Sequence, residues 1–440
     1  MLSLVIILSI KYKRVTMSDI MKHFQTITQI PHCSKEAQKL FEFLVSFAKA
    51  RDYSVEFDET KNILISKGSP SLCLQAHYDM VCVGKAPNIQ TYEEDGWLMA
   101  EDSSLGADNG IAIAMMMSLM DRGEELEFLL TSDEEIGLIG ANVLSFDIKS
   151  RYMLNLDSED EAEVYIGCAG GVDITASKQD TYVDGEGICY EVSVRGLMGG
   201  HSGVDIDKDI PSAIKVLGSY LKSNNITQLS SIYAGERHNS IPTNAVAIVY
   251  SKDILENSDM VKVRQLKETA KVLSEGDRVI DMIDIFQHGV HSYNKALNMP
   301  YSSINLATVN TDEEGGIVVE TSARAMDTKK LDKLATRKIT FFKSYGFDIE
   351  LKDKYPAWKP DVNEFTDLVS EQVEAVFGHT QTRAIHAGLE CGVIAKKYPN
   401  IKFASIGPNI RYPHSNREMV EIASIDKTFE VVEGIIKATN

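Results

Sequence analysis

Cysteine, proline and basic charge are scarce in this sequence of 440 residues, and each scarcity excludes a class of protein. With 11 prolines and 29 glycines, the chain has the composition of neither a collagen nor a low-complexity protein. Acidic residues outnumber basic residues by 64 to 45, and the resulting net charge of −19 repels phosphate backbones and anionic lipid headgroups. We therefore expect no nucleic-acid partner and no stable membrane association.

The cysteines are too few and too scattered for a dense disulfide framework, and no two of them form a C-x-x-C pair. This usage is typical of free thiols in a reducing compartment, so the sequence predicts a cytoplasmic protein without structural disulfides. The six residues are Cys33, Cys73, Cys82, Cys168, Cys189 and Cys391.

The N-terminal apolar run covers only residues 2–10, which is too short to span a bilayer as a helix. Its basic residues Lys11, Lys13 and Arg14 follow the run, whereas those of a secretory signal precede it. We interpret residues 1–16 as an N-terminal extension before a start near Met17. A membrane-proximal anchor is the alternative interpretation.

Strand-like and helix-like segments alternate after residue 17, which predicts an α/β fold with a mostly parallel mixed sheet. Apolar spacing predicts helices between residues 19 and 51 and at 109–120, and strands at 62–66, 71–76, 127–131 and 152–156. Near residue 184 the pattern becomes that of an α+β insert, with helices at 211–222 and 261–274 and strands at 190–194 and 316–325. We expect a catalytic domain in two parts, 17–183 and 353–440, interrupted by a lid or dimerisation-type domain at 184–352.

Acidic and imidazole side chains follow several predicted strands or stand at loop-to-helix junctions, where separate segments converge. Each is a weak signal alone: Asp108 is also a plausible helix N-cap, and an isolated loop histidine is usually inert. The set comprises His77, Asp79, Asp108, Glu134, Glu135, Asp157 and His414.

Taken together, these side chains have the composition of a site for two divalent cations. Three carboxylates (Asp108, Glu135 and Asp157) and one hydroxide balance four positive charges, while His77 and His414 give each ion one imidazole. A carboxylate can bridge two ions, and a metal-bridging hydroxide forms near neutral pH. The neighbouring Glu134 then suits the role of general acid/base. Oxygen and nitrogen ligands fit zinc and also admit manganese or cobalt.

Ordered strings in the sequence resemble the co-catalytic zinc peptidase family that includes aminoacylase, glutamate carboxypeptidase and bacterial dipeptidases, especially its aminoacyl-histidine (Xaa-His) branch. They include "LQAHYDMVC", "LGADNGIA", "TSDEEIGLIGA", "NLDSED", "GGHSG", "HAGLECG" and "GPNIRYPHSNRE". The resemblance implies that His77 and Asp157 hold one zinc and that Glu135 and His414 hold the other. It also implies that Asp108 bridges the ions, that Asp79 orients His77 and that Glu134 is the general acid/base.

In the insert, the resemblance gives His201 of "GGHSG" the role of an oxyanion-stabilising donor, acting within its own chain or across a homodimer. Asn239 and Arg324 match positions that hold polar groups of the substrate, and an arginine suits a bidentate grip on a free C-terminal carboxylate. Gly388 and Glu390 match positions of the substrate pocket.

The expected function is hydrolysis of dipeptides that carry a free C-terminal carboxylate, of the Xaa-His type. Two alternatives within the same chemistry are deacylation of N-acyl amino acids and cleavage of longer peptides by a tripeptidase or carboxypeptidase. A non-catalytic binding protein on the same fold is the alternative from another class.

Overall fold

The computed structural model describes residues 17–267 and 270–439, so the extension or anchor predicted at residues 1–16 lies outside the described residues. The described chain forms two compact units. The first contains residues 17–166, 361–383 and 393–439, and the second contains residues 167–360 and 384–392. None of the described helices is both long enough and apolar enough to cross a bilayer.

The N-terminal segment supplies most of the first unit. Its elements are α1 (Met17–Thr28), α2 (Gln38–Lys49), β1 (Ser54–Phe57), β2 (Ile63–Ser66), β3 (Leu72–His77), β4 (Thr91–Glu94), β5 (Trp97–Ala100), α3 (Ala107–Arg122), β6 (Glu127–Thr131), α4 (Ile139–Val143), β7 (Tyr152–Asn155) and β8 (Glu163–Cys168).

The middle segment is richer in strands. Its elements are β9 (Gly170–Gln179), β10 (Tyr182–Asp184), β11 (Ile188–Val194), β12 (Gly200–His201), α5 (Ala213–Ser223), β13 (Gln228–Ala234), β14 (Ser240–Ile241), β15 (Ala245–Ser251), β16 (Lys262–Gln265), β17 (Lys271–Leu273), α6 (Gly276–Ile285), β18 (Gly289–Asn294), β19 (Met299–Thr311), β20 (Gly316–Ala325), α7 (Thr328–Ser344) and β21 (Asp348–Tyr355). The last segment contains α8 (Glu364–Phe377), β22 (Gln381–Ile385), α9 (Glu390–Lys397), β23 (Lys402–Ser405), β24 (Ile410–Arg411), β25 (Met419–Glu421) and α10 (Ile422–Thr439).

The first unit is built on an eight-stranded mixed sheet in the order β1-β2-β6-β3-β7-β23-β8-β22. The four central strands β6, β3, β7 and β23 are parallel, whereas β1 with β2, β2 with β6 and β23 with β8 pair antiparallel. Strands β3, β6 and β7 are buried along their whole length, as expected for the centre of a covered parallel sheet. The predicted α/β fold is confirmed, with its parallel part confined to the centre.

Helix α3 lies in the core of this unit because it is apolar on every side. It packs against α1 and β3, and almost every residue between Ala107 and Met120 is buried. Gly106 stands at its N-cap with φ +73°, a conformation that L residues rarely adopt, and an added Cβ would lie 2.9 Å from the sulfur of Met80. The chain is therefore fixed just before Asp108, and the backbone of Asp108 and Asn109 departs from helical φ/ψ before α3 continues.

The second unit contains a nine-stranded sheet whose pairings are antiparallel, ordered β16-β11-β15-β13-β19-β20-β9-β21 with β18 beside β19. Its boundaries differ from the expected insert at 184–352. Strand β9 pairs with β20 over ten residues and with β21 on its other side, and these ladders draw the chain from residue 167 to residue 360 into this unit.

Two sequence-based expectations are wrong. The helix predicted at 261–274 is replaced by β16 and β17, because β16 completes the sheet edge beside β11 and this long-range pairing outweighs the local helical spacing. The absence of disulfides is also contradicted: Cys33 and Cys82 are bonded, with Cα atoms 5.5 Å apart. An isolated β-bridge, in which the backbones of Cys33 and Met80 pair, brings the segments that carry Cys33 and Cys82 together. The sequence pattern contains no sign of this contact. The other four cysteines are free and buried.

Replacing a core aromatic ring should test the packing of the central sheet. Phe128 of β6 is fully buried and meets Tyr53 edge to face at 5.9 Å, so Phe128→Ala should lower the free energy of unfolding by about 3–5 kcal/mol. Phe57 of β1 is 54% exposed, and Phe57→Ala should cost less than about 1 kcal/mol. Urea unfolding followed by circular dichroism makes the comparison, and equal losses would contradict this packing.

Candidate active site

His77 is the last residue of β3 and brings a fully buried imidazole to the carboxyl edge of the sheet. Its Nε2 lies 3.1 Å from Oδ1 of Asp108 and 3.3 Å from Oδ1 of Asp157, which follows the neighbouring strand β7. Its Nδ1 lies 3.0 Å from the backbone carbonyl oxygen of Asp79 and donates a proton to it in the neutral tautomer. The Nε2 lone pair then points at the carboxylates, which is the arrangement of a metal-binding histidine.

A second group of ligand atoms forms around His414, which lies in the loop between β24 and β25. Its Nε2 is 2.8 Å from Oε2 of Glu135 and 3.2 Å from Oδ2 of Asp108. Asp108 thus faces one histidine with each of its oxygens, and its side chain makes no capping hydrogen bond at the start of α3. Both histidine groups therefore share one carboxylate.

The spacing and burial of these atoms fit divalent cations. Ligand atoms on a tetrahedral zinc with bonds of about 2.0–2.2 Å lie roughly 3.3 Å apart, close to the 2.8–3.3 Å found in both groups. The Oε1 atom of Glu135 is buried and makes no hydrogen bond to any described residue, as expected of an atom that binds a metal. Burial and the nearby carboxylates raise the pKa of Asp157 to about 6, a repulsion that cations would relieve.

Glu134 lies in the loop after β6 and joins the same region. One of its carboxylate oxygens is within 4.8 Å of a ring nitrogen of His77 and of a carboxylate oxygen of Glu135. The loop is held by Asp79, whose Oδ1 accepts a 2.9 Å hydrogen bond from the backbone N–H of Glu134. Asp79 Oδ2 accepts a 2.8 Å bond from the hydroxyl of Ser34.

This geometry changes the way in which Asp79 acts on His77. The Asp79 carboxylate is 3.7 Å from Nδ1 of His77, which is too far for a hydrogen bond, and the backbone carbonyl makes the contact instead. The carboxylate of Asp79 instead accepts hydrogen bonds from the loop that carries Glu134 and Glu135.

The second unit contains the remaining predicted residues, beginning with His201 and Asn239. His201 Nδ1 accepts hydrogen bonds from the backbone N–H groups of Gly203 (3.2 Å) and Val204 (3.1 Å). The neutral ring therefore carries its proton on Nε2, which makes that nitrogen a donor. Pairing of β12 with β14 brings Asn239 beside this turn, where the backbone carbonyl oxygen of Asn239 accepts a hydrogen bond from the backbone N–H of Ser202.

Arg324 is the second polar feature of this unit, and it is only 7% exposed. Its Nη1 donates a 2.7 Å hydrogen bond to the hydroxyl of Tyr355, while its Nε has no hydrogen-bond partner among the described residues. The ring of Tyr355 lies over Gly171, where a Cβ would come within 2.5 Å of it. A Cβ at Gly203 would lie 3.1 Å from both Arg324 Nε and His201 Cε1, so Arg324 and His201 are neighbours in this unit.

The "HAGLECG" string also lies in the second unit, beside Tyr355. Gly388 lies against the Tyr355 ring, because a Cβ there would be 2.8 Å from a ring carbon, and Glu390 is fully buried at the start of α9. Sequence reasoning missed His386 of the same string, which is 4% exposed and lies 2.8 Å from the hydroxyl of Ser303 through Nε2. Its Nδ1 has no hydrogen-bond partner within the described ranges.

A family model described as "Peptidase family M20/M25/M40" matches residues 73–438, which include all the site residues predicted from the sequence. The chain belongs to this family. It is therefore a metallopeptidase, a hydrolase of peptide bonds, and the enzyme class and family expected from the motifs are confirmed.

Named relatives agree with the M20-family assignment. The chain is 31% identical to the cytosol non-specific dipeptidase of Escherichia coli (strain K12) over 470 aligned positions, covering 94% of this chain and 96% of the relative. The crystal structure of an aminoacylhistidine dipeptidase from Vibrio alginolyticus superposes with a TM-score of 0.79 at 27% identity, covering 97% of this chain and 98% of that one. A tripeptidase from Staphylococcus aureus shares the fold, with a TM-score of 0.60 at 16% identity over 97% and 99% of the two chains.

The buried His386 predicts a specific loss of stability in acid. Burial, reinforced by the charge of Arg324, lowers the pKa of His386 to about 3. Between pH 6.5 and 3 the unfolded chain therefore takes up a proton that the folded chain refuses, and stability falls as the pH falls. At pH 5 the loss amounts to about 2 kcal/mol.

Unfolding of wild type and His386→Gln at pH 7 and pH 5 measures this effect. The wild type should lose about 2 kcal/mol more than the variant between the two pH values. The exposed His379→Gln is the matched control. An identical loss in wild type and His386→Gln would show that His386 is not responsible.

Proposed function

We propose that this chain is a two-metal dipeptidase that hydrolyses dipeptides with a free C-terminal carboxylate, Xaa-His dipeptides among them. The observation that carries the proposal is the carboxylate of Asp108, whose oxygens lie 3.1 Å and 3.2 Å from two different histidines. A carboxylate shared in this way could hold two cations at once, as enzymes that use a pair of divalent ions require.

The ligands divide into two sets around Asp108. His77 and Asp157 would hold one cation, and Glu135 and His414 would hold the other. When bound, the two cations polarise the amide carbonyl and lower the pKa of a water molecule. The donor set suits zinc and is also compatible with manganese or cobalt.

The proton transfers belong to Glu134. It would take a proton from the attacking water and later deliver it to the leaving amine. Two contacts support this role: its carboxylate is within 4.8 Å of ligand atoms, and its backbone is tied to Asp79. A fixed backbone limits the side chain to a few positions, which favours transfer along a defined path.

The resemblance of the motifs to the family assigns the remaining substrate contacts to groups of the second unit. The Nε2–H donor of His201 would stabilise the oxyanion, from its own chain or from a partner in a homodimer. The unpartnered Nε–H of Arg324 would bind the C-terminal carboxylate, with Asn239, Gly388 and Glu390 proposed as further substrate contacts. The name of the Escherichia coli relative supports dipeptides as substrates and a cytoplasmic location.

Glu134→Gln tests the proton-transfer role. The amide keeps the size of the side chain and cannot accept a proton, so kcat should fall by about 10²-fold or more while the bound metal content stays at the wild-type value. Glu94→Gln, in the exposed Glu93–Glu94 pair, is the matched control. Steady-state kinetics with zinc analysis makes the measurement. Unchanged turnover would remove Glu134 from the mechanism.

Arg324→Lys tests recognition of the carboxylate. Lysine keeps the charge and loses the planar fork, so KM for Ala-His should rise by about 10- to 100-fold, which corresponds to a charge-assisted hydrogen bond. The KM for Ala-His amide, which has no C-terminal carboxylate, should change little. Arg264→Lys at the exposed sheet edge is the control.

The same assay should include tripeptides and N-acetyl amino acids. Dipeptides should be the best substrates of the wild type. Faster turnover of N-acetyl amino acids or tripeptides, or equal effects of Arg324→Lys on acid and amide, would reject the proposed specificity.

A further inference from the structure

The loop between β24 and β25 carries a second acidic group besides the His414 ligand. Glu418 is four residues further along and points into the protein, where only 3% of it is exposed. It reaches the chain segment at the start of α3, some 310 residues earlier in the sequence.

Glu418 accepts four hydrogen bonds from four consecutive backbone N–H groups. Oε2 accepts from Leu105 (2.7 Å) and Gly106 (3.0 Å), and Oε1 accepts from Ala107 (2.8 Å) and Asp108 (3.3 Å). Only an ionised carboxylate side chain offers two adjacent oxygens that act only as acceptors. The match between the carboxylate and this turn is therefore specific to an ionised acid.

The start of α3 needs such an acceptor. The first N–H groups of a helix have no partner within the helix, and the N-cap residue here is Gly106, which has no side chain to supply one. Asp108 cannot serve either, because both its oxygens face histidines. A negative charge at this end also interacts favourably with the helix dipole.

We propose that Glu418 is the positioning residue that holds the backbone of Asp108 and thereby sets where its shared carboxylate meets the metals; the inference rests on the metal-binding role proposed above. Asp108 N–H is itself one of the four donors. The same short loop supplies His414, whose Nε2 lies 3.2 Å from Oδ2 of Asp108. A shift of about 0.5 Å in such a pair is enough to spoil a metal site.

Glu127 provides a control of the same chemical kind. It is 2% exposed, and its carboxylate accepts hydrogen bonds from the backbone N–H groups of Lys149 (3.0 Å) and Ser150 (2.8 Å). It lies at the first residue of β6, at the end of the strand opposite to the ligand-bearing loop. Loss of Glu127 should therefore weaken the fold without touching the metal site.

The test compares Glu418→Gln with Glu127→Gln by zinc titration against a chromophoric chelator, with thermal unfolding of the metal-free proteins. The amide places N–H donors against two of the backbone N–H groups, so the zinc Kd of Glu418→Gln should rise by about 10- to 100-fold. At saturating zinc its kcat should fall while KM stays within about twofold of wild type. Both metal-free variants should melt below the wild type, whereas Glu127→Gln should keep wild-type zinc affinity and kcat.

Wild-type zinc affinity and kcat in Glu418→Gln, with a lowered melting temperature, would reduce Glu418 to a purely structural cap and overturn the proposal. Failure of the wild type to bind zinc would instead overturn the metal-dependent function proposed above. If Glu418→Gln does not fold, Glu418→Asp supplies the same comparison, since it keeps both oxygens on a shorter side chain and should give an intermediate Kd.

A double-mutant cycle isolates the route through Asp108. In an Asp108→Asn background, Glu418→Gln should change the zinc Kd much less than it does in the wild type, because the group on which it acts is already altered. An undiminished effect in that background would show that Glu418 acts by another route.

Discussion

The carboxylate of Asp108 is the constraint on which the rest of the first unit depends. Its two oxygens must meet His77 and His414, which come from the first and last parts of the sequence, while Glu135 and Asp157 lie close enough to repel it. Buried carboxylates at such distances are tolerated only when positive charge compensates them. The fold therefore has to bring five separate segments of the chain to one place and keep them there.

A row of buried polar side chains beneath the site holds the parallel strands in register. Gln75 Nε2 donates to Thr131 Oγ1 (3.2 Å), Asn155 Nδ2 donates to Gln75 Oε1 (2.6 Å), and Ser405 Oγ donates to Asn155 Oδ1 (2.5 Å). All four are fully buried on β6, β3, β7 and β23. Asn155 Oδ1 also accepts from the N–H of Asp157, at 3.3 Å. A satisfied buried network of this kind admits few alternative arrangements, so the strand ends that carry ligands are fixed relative to one another.

The sequence predicts the parts of this site that follow from strand ends. Strand 127–131 and the ligands after it were predictable because buried parallel strands are continuous apolar runs whose carboxyl ends gather at one edge. The position of Asp108 between His77 and His414 was not decidable against helix capping, since both use the same residue at the same place. The strand at 262–265, the Cys33–Cys82 bond and the contacts of Glu418 escaped because each depends on a partner far away in the chain.

Two of the acids around the site accept hydrogen bonds from the backbone of other segments, and their placement explains the spacing of two motifs. Asp79 follows His77 by two residues and holds the N–H of Glu134, whereas Glu418 follows His414 by four and holds the N–H of Asp108. The motif that carries His77 therefore fixes the backbone at Glu134, and the motif that carries His414 fixes the backbone at Asp108. Hydrogen bonds to ionised acceptors are strong, so these two cross-links can hold the segments that carry His77, Asp108, Glu134 and His414 together before any cation binds. The positions of the side chains in the site then follow from the positions of the main-chain segments that carry them, because the main chain has far less conformational freedom than the side chains.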